Sequence, residues 1–172
     1  MTGGDRPAYS PRVELIRRAY GHPDVAALTN RVQAHYRELY GGPGDESRVE
    51  VADFEPPNGH FVVGYLDGQP VAMGGWRQLG DRPGLPSRHT AEIKRMYVAP
   101  SARGRGLSRI VLAELETSAR AAGIEWLVLE TGRPQTSAVG LYLASGYTDV
   151  DGTPYGHYVG SPDAMHLGKE LV

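Results

Sequence analysis

Apolar and polar positions change period several times along the chain, and each change marks an element. Val13-Glu14-Leu15-Ile16-Arg17-Arg18-Ala19-Tyr20 alternates roughly, as a first strand does. Pro23-Asp24 then opens a helix in which Val25, Leu28, Val32, Tyr36 and Leu39 recur at helical spacing. Asp24 is the expected cap, and Gly41-Gly42 the stop. A polar stretch broken by Pro43, Pro56 and Pro57 follows, long enough to be a lid, a binding loop or a plain surface loop. His60–Leu66 and Pro70–Arg77 read as two strands, joined by the hairpin signal Asp67-Gly68. Thr90 to Val98 is the next strand. Strict alternation puts Glu92, Lys94, Met96 and Val98 on one face, with Ile93, Arg95 and Tyr97 on the other.

A second helix is expected to bury Ile110, Val111, Leu115, Ala119 and Ala122, with Gly123 closing it. Trp126-Leu127-Val128-Leu129 is the heart of a central strand over Glu125–Thr131. A helix over Gln135–Ser145, a short strand over Tyr147–Val150 and a last strand over Ala164–Leu171 complete the order. Strand, helix, three strands, helix, strand, helix and two strands make a mixed α/β sheet with helices on its faces. Residues 1–11 are expected to be flexible and residues 12–172 to form one domain.

Composition narrows the chemistry. The 172 residues are 40% hydrophobic and 22% charged, the profile of a globular chain. A net charge of −2 argues against a nucleic-acid partner, and no apolar run has the length of a membrane span. No cysteine is present, which removes disulfides and thiolate nucleophiles and suits a cytoplasmic protein. The six histidines show no metal-ligand spacing, so no metal is expected.

The most informative stretch is Arg103-Gly104-Arg105-Gly106, between the strand ending at Val98 and the second helix. A glycine turn feeding a helix start gathers backbone N–H groups and the positive end of a helix dipole, a place for phosphate. It is not a nucleoside-triphosphate loop, because G-x-x-x-x-G-K-[ST] is missing. Nor is it a dinucleotide fingerprint: Arg109 stands where the third glycine belongs.

The stretch resembles the GNAT superfamily of N-acetyltransferases, whose signature is Arg/Gln-x-x-Gly-x-Gly/Ala between the fourth strand and the following helix. Here it reads Arg103-Gly104-Arg105-Gly106-Leu107-Ser108, with Ser108 in the place of Gly or Ala. The surroundings match as well: EIKRMYVAP before it, Leu129-Glu130-Thr131 after it, then Ala138-x-x-Leu141-Tyr142-x-x-x-Gly146-Tyr147. The resemblance implies a mostly antiparallel sheet of about seven strands, with acetyl-coenzyme A as cosubstrate. It implies that backbone amides of Arg103, Gly104, Arg105, Gly106, Leu107 and Ser108 hold the pyrophosphate. The edge formed by Met96, Tyr97 and Val98 would pair with the pantetheine arm and supply an oxyanion donor.

By the same resemblance Tyr142 is the general acid for the departing thiolate, and Glu92 the general base. Phenol and thiol have unperturbed pKa values of about 10 and 8.5, so the proton transfer is reasonable. Aromatic packing is the other reading of Tyr142, and a structural Glu–Lys pair the other reading of Glu92. Gln135 falls where relatives carry an asparagine that bonds the coenzyme arm. The acceptor is expected to be a small-molecule amine, met by residues among Tyr36, Tyr40, Asp53, Glu55, Arg77, Tyr155, His157 and Tyr158. A homodimer is compatible with the family; the rival readings are a noncatalytic acyl-coenzyme-A-binding regulatory or partner-binding domain, and an acyltransferase with another acyl donor or acceptor.

Overall fold

The computed structural model describes residues 12–150 and 156–172. The expected loose N-terminus and Tyr155 lie outside the described residues. The chain runs through β1 (Val13–Arg17), α1 (Pro23–Tyr40), a 3-10 turn (Val51–Phe54), β2 (Gly59–Leu66), β3 (Gln69–Gln78) and β4 (Thr90–Val98). A second 3-10 turn (Pro100–Ala102), α2 (Leu107–Ala121), β5 (Trp126–Gly132), α3 (Thr136–Ala144), β6 (Thr148–Asp149) and β7 (Ala164–Glu170) follow. The seven strands form one sheet in the order β1-β2-β3-β4-β5-β7-β6. Only β4 and β5 run parallel; the other pairs are antiparallel, as the alternation and turns implied.

Local chemistry explains the boundaries, with two corrections. The cap of α1 is His22, not Asp24: His22 Nδ1 accepts the Asp24 N–H at 3.1 Å. That frees the Asp24 carboxylate to accept the Tyr65 hydroxyl at 2.6 Å. In α2 the buried stripe is Leu107, Val111, Leu115 and Ala119, joined by Leu112 and Glu116. Ile110 is 41% exposed and Ala122 is exposed, because Leu107 at the helix start docks into the core and sets the four-residue row.

The two faces of the sheet are filled differently. On one, Tyr20, Phe54 and Phe61 form a cluster with ring centroids 4.9–5.3 Å apart. A side chain at Gly75 would collide with Phe61 and Phe54. On the other face α2 packs, with Trp76 Nε1 donating to Ser118 Oγ at 3.0 Å. A Cβ at Gly74 would lie 2.6 Å from Met96 Sδ and 3.0 Å from Val111.

Two features of β4 shape the site. First, its alternation is broken. Met73 pairs with Tyr97 but Gly75 pairs with Lys94, so Arg95 and Met96 together oppose Gly74. Arg95 takes φ 59°, the left-handed value that a bulge residue adopts. The extra residue turns Met96 to the α2 face, away from Glu92 and Lys94. The expected grouping of those three on one face is therefore corrected. Second, β4 pairs with β5 only at Thr90–Trp126, Ala91–Leu127 and Glu92–Val128. Beyond Glu92 the strands part: β4 stays on β3 to Val98, and β5 stays on β7 to Gly132.

Candidate active site

The glycine turn sits at the open end of this split. Gly104 and Gly106 have φ 77° and 75°, conformations that glycine adopts without strain, and a Cβ at either would meet nothing within 4 Å. Gly106 caps α2 from the left-handed region with no side-chain hydrogen bond to the first helical amides. Those amides, at the positive end of the helix, suit the pyrophosphate of coenzyme A. Arg103 lies exposed, its Nε donating to the Val98 carbonyl at 3.2 Å.

A cleft of about 440 Å³ runs from this turn into the split. Met96, Tyr97 and Val98 form one wall, and Gln135, Ala138, Leu141 and Tyr142 the other. Arg103, Gly104, Gly106, Leu107 and Ser108 line its mouth, while Arg105 is exposed in the same turn and lines neither this cleft nor the next. The structure thus gathers most of the sequence-expected coenzyme residues into one groove. Tyr142 is 5% exposed and stands edge-on to Tyr147, with centroids 5.6 Å apart. Burial, and next the nearby Tyr36, push its pKa up, so the phenol keeps its proton and is a weaker acid than the unperturbed comparison with a thiol assumed.

A second cleft of about 310 Å³ adjoins the first, between β4 and β5 where they have parted. Lys94 comes from β4, Glu130 to Gly132 from β5, Tyr36 and Tyr40 from the end of α1, and Asp45, Tyr158 and Asp163 from loops. Tyr36 and Gln135 line both clefts, so they mark the point where the two spaces meet. Gln135 Nε2 donates to the Tyr40 hydroxyl at 2.9 Å, tying α1 to the start of α3.

The second cleft is lined by charges that are mostly matched within the protein. Asp45 accepts from Arg95, from the Ser47 N–H at 2.9 Å and from the Tyr158 hydroxyl at 2.8 Å. Burial raises the Asp45 pKa, but Arg95 and these hydrogen bonds outweigh it and the carboxyl titrates below its ordinary value. Burial and then the Asp45 bond push Tyr158 up to about 12. Glu130 accepts the His157 N–H at 2.9 Å and the Tyr158 N–H at 3.0 Å, and meets His166 Nε2 at 2.9 Å.

Glu92 is elsewhere. It is 2% exposed, lies where β4 and β5 still pair, and lines neither cleft. Its Oε2 receives Arg77 Nε and Nη2, both at 3.2 Å, and its Oε1 is 2.9 Å from Lys94 Nζ. Arg77 also binds Asp53 at 2.8 Å, so Arg77 and Asp53 are spent on each other and not offered to a substrate. Glu55 faces Arg17 at 3.9 Å, and His157 lines neither cleft. Lys94, Asp45, Glu130 and Asp163 are charged lining residues that the sequence did not offer as site residues. Gly74-Gly75 in β3, opposite the bulge, was the one available signal that β4 is irregular there.

Comparison with known proteins agrees with this geometry. Residues 29–147, well over half of the chain, match the model of the acetyltransferase (GNAT) family. An IAA acetyltransferase of Azospirillum brasilense is 30% identical over 162 residues, covering 94% of this chain and 99% of its own. A structure from Klebsiella pneumoniae described as an acyl-CoA N-acyltransferase is 25% identical, with a TM-score of 0.70, covering 93% of this chain and 98% of its own. The PaiA N-acetyltransferase of Thermoplasma acidophilum, solved in complex with coenzyme A, is 15% identical with a TM-score of 0.65. It covers 92% of this chain and 99% of its own and shares the fold. With its split seven-stranded sheet, its glycine turn at a helix start and its match over residues 29–147, the chain belongs to the GNAT family of acetyltransferases.

Proposed function

We propose that this acetyltransferase moves the acetyl group of acetyl-coenzyme A to the primary amine of a small molecule or amino acid, by direct attack with both substrates bound. The observation that carries the reading is the parting of β4 from β5, which leaves two clefts meeting at Tyr36 and Gln135. The groove with the glycine turn suits a phosphate-bearing donor, and the polar cleft beside it suits the amine. The Azospirillum relative is named for IAA, which supports a small acceptor.

The amine nitrogen bonds the carbonyl carbon, the carbon–sulfur bond breaks, one proton leaves nitrogen and one arrives at sulfur. The backbone edge of Met96, Tyr97 and Val98 holds the donor arm and offers an N–H to the developing oxyanion. Tyr142, buried and protonated, gives its proton to the thiolate. The position of Glu92 does not support the expected base: Arg77 and Lys94 hold it outside both clefts. We assign it instead the holding of Lys94 at the second cleft, and leave the amine's proton to water there.

The test is coenzyme A release from acetyl-coenzyme A in the presence of amines, for wild type and Tyr142→Phe side by side. Amine-dependent release that falls sharply in the variant supports both assignments. Undiminished turnover removes Tyr142 from the mechanism, and acetyl-coenzyme A binding without release for any amine overturns the transferase reading.

A further inference from the structure

We infer that the acceptor amine carries a carboxylate and that Lys94 binds it; this rests on reading the second cleft as the acceptor side. Lys94 lines that cleft with a side chain only 9% exposed. Its one ion pair among the described residues is with Glu92 Oε1 at 2.9 Å. That charge-assisted contact takes one of the donors of the ammonium. An ammonium has three N–H donors and no acceptor, and a charge this far from water is tolerated when its remaining donors are met.

The acids of the same cleft are in the opposite condition. Asp45 is engaged by Arg95, Ser47 and Tyr158, and Glu130 by His157, Tyr158 and His166. Each therefore has little capacity left for a substrate ammonium, whereas Lys94 has most of its own. Asp163 lines the cleft from the loop before β7, is exposed, and adds negative charge near Tyr40. It favours entry of a cationic amine from the rim while Lys94 awaits an anion inside.

Position along β4 agrees. Lys94 stands two residues before Met96, where the donor's edge begins, on the near side of the bulge. An amino acid, with its amine and carboxylate one carbon apart, bridges from the Lys94 side chain towards that edge. A polyamine or aminoglycoside would bring a second cation against Lys94 instead.

The experiment compares kcat/KM for phenylalanine, methionine and glutamate, their α-amides, and spermidine, by coenzyme A release. Wild type is expected to prefer the amino acids to their amides by about 10–100-fold, the worth of one charge-assisted hydrogen bond. In Lys94→Met that ratio falls to about one, and Lys94→Arg retains it in large part. Because Lys94→Met strips Glu92 of a partner, Lys94→Met/Glu92→Gln is carried alongside, and the same loss of ratio is expected there. Amides or spermidine used as well as the amino acids would overturn the inference while leaving amine acetylation standing. A ratio unchanged in both Lys94→Met backgrounds would overturn the part given to Lys94. No release with any amine would overturn the acetyl-transfer reading and the inference together.

Discussion

Removing the Tyr142 hydroxyl leaves its ring packed on Tyr147, so Tyr142→Phe isolates a proton from a packing contact. The variant should lose about 10²–10⁴-fold in kcat with little change in melting temperature, measured by coenzyme A release and thermal unfolding. Glu92→Ala should do the reverse. It leaves Arg77 and Lys94 facing each other across a buried gap, and should cost about 3–5 kcal/mol in denaturant unfolding. Asp45 supplies a pH dependence. Its folded pKa lies below the ordinary value, so its contribution to stability is whole above the unfolded carboxyl's pKa and is lost as pH falls through the folded one. Thermal melts of wild type and Asp45→Asn should therefore converge as the solution is acidified and separate towards neutrality. Residue roles divided along these lines in the sequence too. The placement of Tyr142 in the first cleft was legible because its motif is local, running from Ala138 to Tyr147. The fate of Glu92 was not, because its partner Arg77 sits opposite it on β3, a contact that only the register creates.

At the scale of elements, the turn before α2 is the most readable part of the molecule and the bulge in β4 the least. Two glycines at positive φ, then a helix, leave a signature in any sequence. Gly106→Ala forces a side chain into the left-handed region at a cost of roughly 1–2 kcal/mol. The variant should bind acetyl-coenzyme A several-fold more weakly by calorimetry, with KM for the amine moved far less. The bulge leaves almost no trace, since Lys94-Arg95-Met96 carries neither glycine nor proline. What holds Arg95 at φ 59° is tertiary: Asp45, the Ser47 carbonyl at 3.1 Å and the Tyr20 hydroxyl at 3.2 Å. The same long-range cause hid the second cleft, whose walls come from α1, β4, β5 and loops.

For the molecule as a whole, β7 is the strand that closes the design. It lies between β5 and β6 and pairs with β5 along seven positions, from Trp126–Glu170 to Gly132–Ala164. Lys169 also reaches both carboxylate oxygens of Glu116 on α2 at 3.0 Å. A chain ending at Ser161 should therefore fail to give a cooperative thermal transition, although it would keep the glycine turn and Tyr142. No helix among the described residues is long and apolar enough to cross a membrane.

The parting of β4 from β5 has a consequence for how the protein ages between turnovers. A strand edge with open backbone groups is the usual seed of aggregation when it lies at the rim of a sheet. Here the open edge lies inside the sheet, between β4 and β5, where Met96, Tyr97 and Val98 line the first cleft. What can reach it is a slender arm with amide groups of its own. Amide hydrogen exchange along Ile93–Val98 should accordingly slow when coenzyme A is added, and the melting temperature should climb with the logarithm of its concentration. A cell short of acyl-coenzyme A would then hold this enzyme in its most perishable form.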